Sequence, residues 1–321
     1  MSLISPLSRI PEPALGLVKK RYTVMSGTKT DPVEIYLWRI ATCSAGESPT
    51  PQLGAIWVPG GAMLQLDIDM ETADTAFISD YLTAKLGTEP LDALGRGYVL
   101  LYVAYRAGRP FPEPPRDVLA AYEFAYAHAA ELGILPHCIP ILGCSAGANL
   151  AWAATHMVLD RVGEDSEGGL RAPPGLMCIY PMLNPHTEWK NTVGGIVPAT
   201  AARLRRGWES YLGQLETLSE EDQKYQKYAK LLELSPKDLG KLGPMYMDVG
   251  TSDYFEEEIG GAVDTLKNAG VAVTFVVLDG VGHGFEKALF TDDPESPVWR
   301  KACNERRSFL RSLLSSEGAA T

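Results

Sequence analysis

The sequence predicts an α/β protein with a mostly parallel central sheet flanked by helices and carrying a helical cap. Short apolar runs recur at 54–58 (GAIWV), 97–105 (GYVLLYVAY), 138–143 (CIPILG), 175–180 (GLMCIY), 244–250 (PMYMDVG) and 273–280 (VTFVVLDG). Helical patterns fill several of the intervals between them. One long stretch, 184–239, breaks the rhythm. Strands that are apolar along their whole length need cover on both faces, and a parallel sheet alternating with helices supplies it.

Within 17–40 two stretches alternate roughly, and the clearer one, VEIYLWRI at 33–40, reads as a half-buried strand. Residues 42–52 are rich in Ser, Thr, Pro and Gly and read as a loop. A helix over 117–132 stops at Gly133. Another over 255–269 opens with acids, which suit a helix N-terminus, and ends before Gly270. The 184–239 stretch holds Trp189, Trp208, Tyr211, several leucines and many charges, but no convincing strand. It reads as a helical insertion above the strand ends, joined by residues 1–20, and a packing layer without substrate contact is the alternative. Ligands of open α/β sheets bind outside the carboxyl ends of the strands, so such an insertion would roof the site. The whole chain, 1–321, is expected to form one domain with this cap.

Apolar residues make up 45% of the chain and charged residues 21%, which fits a folded globular protein. The net charge of -11 argues against a nucleic-acid partner, which calls for a basic patch or stripe. Arg203, Arg205 and Arg206 lie close together and read as a solvated helix face. Cys43, Cys138, Cys144, Cys178 and Cys303 are odd in number and widely spaced, so reduced, mostly buried thiols are expected. There is neither an apolar signal region at the N-terminus nor a run of about 18 apolar residues. No transmembrane segment is therefore expected, and a cytoplasmic location follows. Nothing in the pattern specifies an oligomeric state.

Gly143-Cys144-Ser145-Ala146-Gly147 fits G-x-S-x-G, between a strand-like IPIL and a helical NLAWAATHMVLDRV. That turn is strained and leaves no room for Cβ atoms at its glycines, and it thrusts the serine hydroxyl into the open. The helix N-terminus beneath it favours negative charge. A serine hydroxyl needs a base to become a nucleophile. His283 sits in a loop directly after a late strand, between Gly282 and Gly284. His128 and His156 fall within helices, His137 opens the strand before the turn and His186 lies in the insertion; these read as structural. Asp253 is the leading candidate for the acid that orients the imidazole, with Glu257 and Asp279 as alternatives and Asp248 inside its strand. Backbone N–H donors for a developing oxyanion are expected from Ala146 and from Gly60 and Gly61, although an ordinary Gly-Gly turn is the other reading of that pair. Met63, Leu64, Trp189, Trp208 and Tyr211 are candidate substrate-binding residues, and core packing is an equal reading for each.

Together these residues resemble the hormone-sensitive-lipase-like branch of the α/β hydrolases, which includes bacterial and fungal esterases. The likeness runs from about residue 50 to about 290. Where that family shows an HGGG or HGGA loop, this chain has PGGA at 59–62. Its Y-R, proline-rich and Asp segment matches YRAGRPFPEPPRD at 105–117, and its GDSAGGNLA matches GCSAGANLA at 143–151. The late G-x-x-D loop followed by acids appears as GTSDYFEEE at 250–258, and the PHGF-like segment as GHGF at 282–285. The resemblance implies a cap built from the N-terminus and 184–239, a small-molecule ester as substrate, and no metal or organic cofactor. Two departures stand out. Pro59 replaces the loop histidine and has no N–H to give. Cys144 replaces an acid beside the nucleophile. They motivate an alternative, a pathway enzyme using the same triad for acyl transfer, cyclisation or elimination. A non-catalytic small-molecule binding protein is a third reading, against which the intact Ser, Asp and His speak.

Overall fold

The computed structural model describes residues 18–26, 31–39, 51–68, 75–87, 91, 97–164, 169–187, 197–293 and 295–315. Cys43 and Trp189 lie outside these residues, as do 1–17 of the expected cap and 188–196 of the insertion.

Eight described strands form one sheet: β1 (Val18–Ser26), β2 (Asp31–Arg39), β3 (Leu53–Val58), β4 (Tyr98–Ala104), β5 (Ile141–Cys144), β6 (Leu176–Ile179), β7 (Met245–Gly250) and β8 (Val273–Leu278). Their order is β1-β2-β4-β3-β5-β6-β7-β8. β2 runs antiparallel to both β1 and β4, and the remaining pairs are parallel. Every residue of β3, β5, β6 and β7 is buried, which is why these segments read as apolar runs, with Asp248 of β7 the one charged residue among them. β8 closes one edge and alternates instead, with Val276 and Leu278 buried and Thr274 and Val277 exposed.

The helices are α1 (Thr75–Leu86), α2 (Glu113–Ala127), α3 (Ala129–Leu132), α4 (Ala146–Glu164), α5 (Pro198–Leu212), α6 (Glu220–Gln223), α7 (Pro236–Leu239), α8 (Glu256–Asn268), α9 (Phe285–Asp292) and α10 (Pro297–Ser315). The helix expected over 117–132 starts earlier, because Pro114 and Pro115 occupy its first turn, where no N–H donor is needed. It divides at His128, and Gly133 ends α3 at φ 67°. The first thirteen residues of α4, Ala146 to Val158, are all buried, and alanines at 146, 148, 151, 153 and 154 let the helix lie close against the sheet. Residues 197–239 of the insertion form α5, α6, α7 and short 3₁₀ turns, with no strand among them. Residues 18–20, grouped with the cap from the sequence, belong to β1.

α10 presses Phe309, Leu310, Leu313 and Leu314 inward, together with a fully buried Arg306. The Arg306 guanidinium meets Asp248 of β7 at 2.6 Å and Glu286 of α9 at 2.8 Å, and Glu286 also meets Lys85 of α1 at 2.9 Å. Burial alone would raise the Glu286 carboxyl, but Lys85 and Arg306 hold it down at about 2. Removing one partner of such a buried pair costs about 3–5 kcal/mol. The network ties the C-terminal helix and the segment after β8 to the sheet. The loops after β3, β5, β7 and β8 all leave carboxyl ends of parallel strands, on one side of the sheet.

Candidate active site

Ser145 occupies the turn between β5 and α4 with φ 53°, in the left-handed region. A non-glycine residue held there costs on the order of 1–3 kcal/mol, and the surroundings over-determine it. Its N–H donates to the Ile179 carbonyl at 2.9 Å, and its carbonyl accepts from Met182 at 3.1 Å. The glycines are sterically required. A Cβ on Gly143 would lie 2.4 Å from the Gly147 carbonyl oxygen, and one on Gly147 would lie 2.2 Å from that of Val58.

The structure brings Ser145, His283 and Asp253 together. His283 Nε2 lies 3.0 Å from Ser145 Oγ, and Nδ1 lies 2.9 Å from Asp253 Oδ2. Asp253 is fully buried, and its other oxygen accepts the Phe255 N–H at 3.0 Å. The rings of Tyr180, Tyr254 and Phe255 surround the imidazole at 4.7, 4.8 and 5.1 Å. Of the rival acids, Glu257 is exposed, Asp279 is exposed and accepts from Thr251 at 3.4 Å, and Asp248 pairs with Arg306. His156 is buried beneath Tyr228, accepts from Trp152 Nε1 at 3.2 Å, and is pushed down to about 3 by burial, so it stays neutral. His128 lies by Glu131, the His186 N–H donates to Asn184, and His137 is exposed.

The loop after β3 differs in one respect from expectation. The Gly60 N–H, expected to serve the site, donates to Asp67 Oδ2 at 2.9 Å. The same oxygen accepts from the Tyr81 hydroxyl at 3.2 Å and lies 3.7 Å from Cys144 Sγ. Asp67 thus brings a carboxylate to the side chain that replaced one beside the nucleophile. Burial pushes the Cys144 thiol up to about 12, so it remains neutral. Asp67→Ala would release the Gly60 N–H and the Tyr81 hydroxyl at a partly solvated place. The expected cost is about 1 kcal/mol of loop positioning, a roughly fivefold fall in kcat/KM, with Asp67→Asn retaining most of the activity. Equal losses in the two variants would show that the acceptor oxygen is not what matters.

Gly61, Ala62 and Met63 follow with φ of 122°, 57° and 63°. A Cβ on Gly61 would sit 1.9 Å from the Gln65 carbonyl oxygen. The N–H groups of Gly61, Ala62 and Ala146 donate to no described acceptor. Met63 is buried and Leu64 is half-buried. Trp208 and Tyr211 lie on the buried face of α5, with Tyr211 edge-on to Phe111 at 5.7 Å. Trp208 Nε1 and the Tyr211 hydroxyl have no hydrogen-bond partner among the described residues.

Sequence pattern alone misses Asp67, Glu286, Glu258 and the contact made by Arg203. Only Glu258 carried a hint, as the last acid of GTSDYFEEE at 250–258. Glu258 of α8 accepts from the Leu183 and Asn184 N–H groups at 2.8 and 3.4 Å and from the Thr187 hydroxyl, where the insertion begins. Burial raises its carboxyl from 4.5 to about 7. Between those values the native state keeps a proton that the unfolded chain has released, so this contribution favours folding at low pH and is lost as pH rises through the window. Glu258→Gln imitates the protonated form. Urea unfolding should find it more stable than the parent at pH 8, by on the order of 2 kcal/mol, and nearly equal at pH 4.5. A difference independent of pH would contradict this.

The fold and this arrangement define an α/β hydrolase. The sequence profile of the α/β hydrolase fold matches residues 93–287, and the chain belongs to that family, in its hormone-sensitive-lipase-like branch. The chain is 25% identical over 246 residues to Lipase 2 of Moraxella sp. (strain TA144), a match covering 69% of this chain and 55% of that protein. It therefore spans little more than half the length of that relative. Over 238 residues it is 26% identical to the Acetyl-hydrolase of Streptomyces hygroscopicus, covering 72% and 69% of the two chains. Among solved structures, a bacterial heroin esterase superposes with a TM-score of 0.70 at 22% identity, over 93% of this chain and 85% of the other. No helix among the described residues is long and apolar enough to cross a membrane.

Proposed function

We propose that this chain is a serine esterase that cleaves a small-molecule carboxylic ester through an acyl-enzyme. The observation that carries this reading is the hydrogen-bonded series Ser145–His283–Asp253, at 3.0 and 2.9 Å, on a strained turn. Ser145 Oγ attacks the ester carbonyl as His283 Nε2 takes its proton. The imidazolium then protonates the leaving alcohol, and water enters by the same route to release the acid. Asp253 holds the imidazole by its Nδ1–H and stabilises its charged form. With the Gly60 N–H committed to Asp67, the oxyanion donors are the N–H groups of Gly61, Ala62 and Ala146, the last at the N-terminus of α4.

The insertion serves as a cap, and Met63, Leu64, Trp208 and Tyr211 are its and the body's contributions to the substrate pocket. The relatives' names, lipase and acetyl-hydrolase, support ester chemistry. The acyl-transfer alternative drew on Pro59 and Cys144, and Asp67 beside Cys144 weakens that motive. Free thiols at Cys138, Cys144, Cys178 and Cys303 support a cytoplasmic location. The test is a graded series of p-nitrophenyl esters together with labelling by a fluorophosphonate. Hydrolysis of the short members and one label per chain are expected. A chain that takes no label and hydrolyses none of the series would overturn the reading.

A further inference from the structure

Helix α5 of the insertion rests directly on the loop that supplies two of the proposed oxyanion donors. A Cβ on Gly207 would lie 2.0 Å from the Ala62 carbonyl oxygen, so only glycine permits this approach of helix to loop. One turn earlier, Arg203 Nη2 donates to the Gly61 carbonyl at 3.3 Å. That carbonyl also accepts from the Leu64 and Gln65 N–H groups at 3.2 and 3.3 Å. Further along α5, Ser210 Oγ donates to the Gly108 carbonyl at 2.9 Å, and the Gly108 N–H donates to that of Met63 at 2.7 Å. The three consecutive positive-φ residues are thus held from the insertion as well as from the body.

Arg203 is exposed and makes no ion pair among the described residues. Its charge opposes the upward push that burial gives the phenols of Tyr105 and Tyr254. Tyr105 donates to the Gly60 carbonyl at 3.3 Å, and the Tyr254 ring lies against His283. The guanidinium therefore stands at the donor loop, and its charge is felt by the phenol whose ring lies against His283.

In a trans peptide the C=O and the N–H point in opposite directions. The carbonyl that Arg203 engages belongs to the same peptide unit as the Ala62 N–H. We propose that Arg203 is a positioning residue for ester cleavage: from the insertion it fixes and polarises the Gly61–Ala62 peptide so that the Ala62 N–H faces the developing oxyanion. The proposal rests on the esterase reading above. Donation to a carbonyl strengthens the N–H of its own peptide as a donor, and a donor fixed before reaction needs no reorganisation when charge develops. Seating of α5 and assembly of the oxyanion hole then become one event.

The test compares Arg203→Ala, Arg203→Lys and, as control on the same helix, Arg206→Ala. Kinetics on the best neutral p-nitrophenyl ester should show kcat falling about tenfold in Arg203→Ala with KM little changed. Affinity for a trifluoromethyl ketone, which forms a tetrahedral adduct, should fall by a similar factor. Arg203→Lys and added guanidinium should each restore part of the rate, and Arg206→Ala should match the parent. The amide proton of Ala62 should move upfield in the NMR spectrum of Arg203→Ala only. Unchanged kcat, a loss confined to KM or to anionic esters, or an unmoved Ala62 amide would overturn the assignment. If the parent hydrolyses no ester and takes no fluorophosphonate, the esterase reading fails, and the Ala62 amide still reports on the positioning by itself.

Discussion

A Ser145→Ala variant is expected to lose ester hydrolysis by about 10³-fold or more in kcat while remaining folded. The hydroxyl is the only group that forms the covalent bond in the proposed reaction. The methyl that replaces it occupies the same place on the turn at φ 53°, where the Ile179 and Met182 backbone contacts persist. Thermal midpoints should therefore stay close to the parent's. The same substitution should abolish fluorophosphonate labelling. Combining it with His283→Ala should add little, because the base has no proton to take once the nucleophile is gone, and triad members act as a unit. Additive losses, or a residual rate near the parent's, would show that another group attacks the ester.

Much of this site was legible because its chemistry demands particular backbone. The turn at Ser145 requires glycine at 143 and 147 on steric grounds, so the motif can be read without a structure. The buried strands advertised themselves as apolar runs, and the loops after them carried Asp253 and His283. Partners that meet across the fold were illegible. Asp67 is an exposed residue in a loop, and only the folding of that loop brings it to Gly60 and Cys144. Gly60 and Gly61 look equivalent in sequence, yet the first turns its N–H to a carboxylate and the second does not. Arg203 read as solvated surface because its exposure is real, while its contact is with backbone 142 residues away. Side-chain periodicity carries no information about such contacts.

Gly61→Val is expected to be the most damaging single change in the loop after β3, and far worse than Pro59→His. At φ 122° a β-branched residue is strained whatever the space, and here a Cβ would sit 1.9 Å from the Gln65 carbonyl oxygen. That contact is with backbone, so no rotamer change relieves it. The backbone at Gly61 must rotate, and with it the peptides on either side, Gly60–Gly61 and Gly61–Ala62, which carry the two N–H groups proposed to face the oxyanion. Loss of one such donor costs about 3–4 kcal/mol of transition-state stabilisation, so kcat should fall by roughly 10²–10³-fold. Pro59 has no N–H and donates nothing, and its carbonyl, near the start of α4, survives substitution. Pro59→His should therefore stay within about tenfold of the parent in kcat/KM, its cost being that of seating an imidazole at a buried position. Near-ultraviolet circular dichroism on both variants separates misfolding from loss of donors, and Gly61→Ala supplies a milder version of the same clash. If Pro59→His proves the more harmful, or if folded Gly61→Val keeps its turnover, the loop does not hold the oxyanion, and stabilisation must come from the N-terminus of α4 alone.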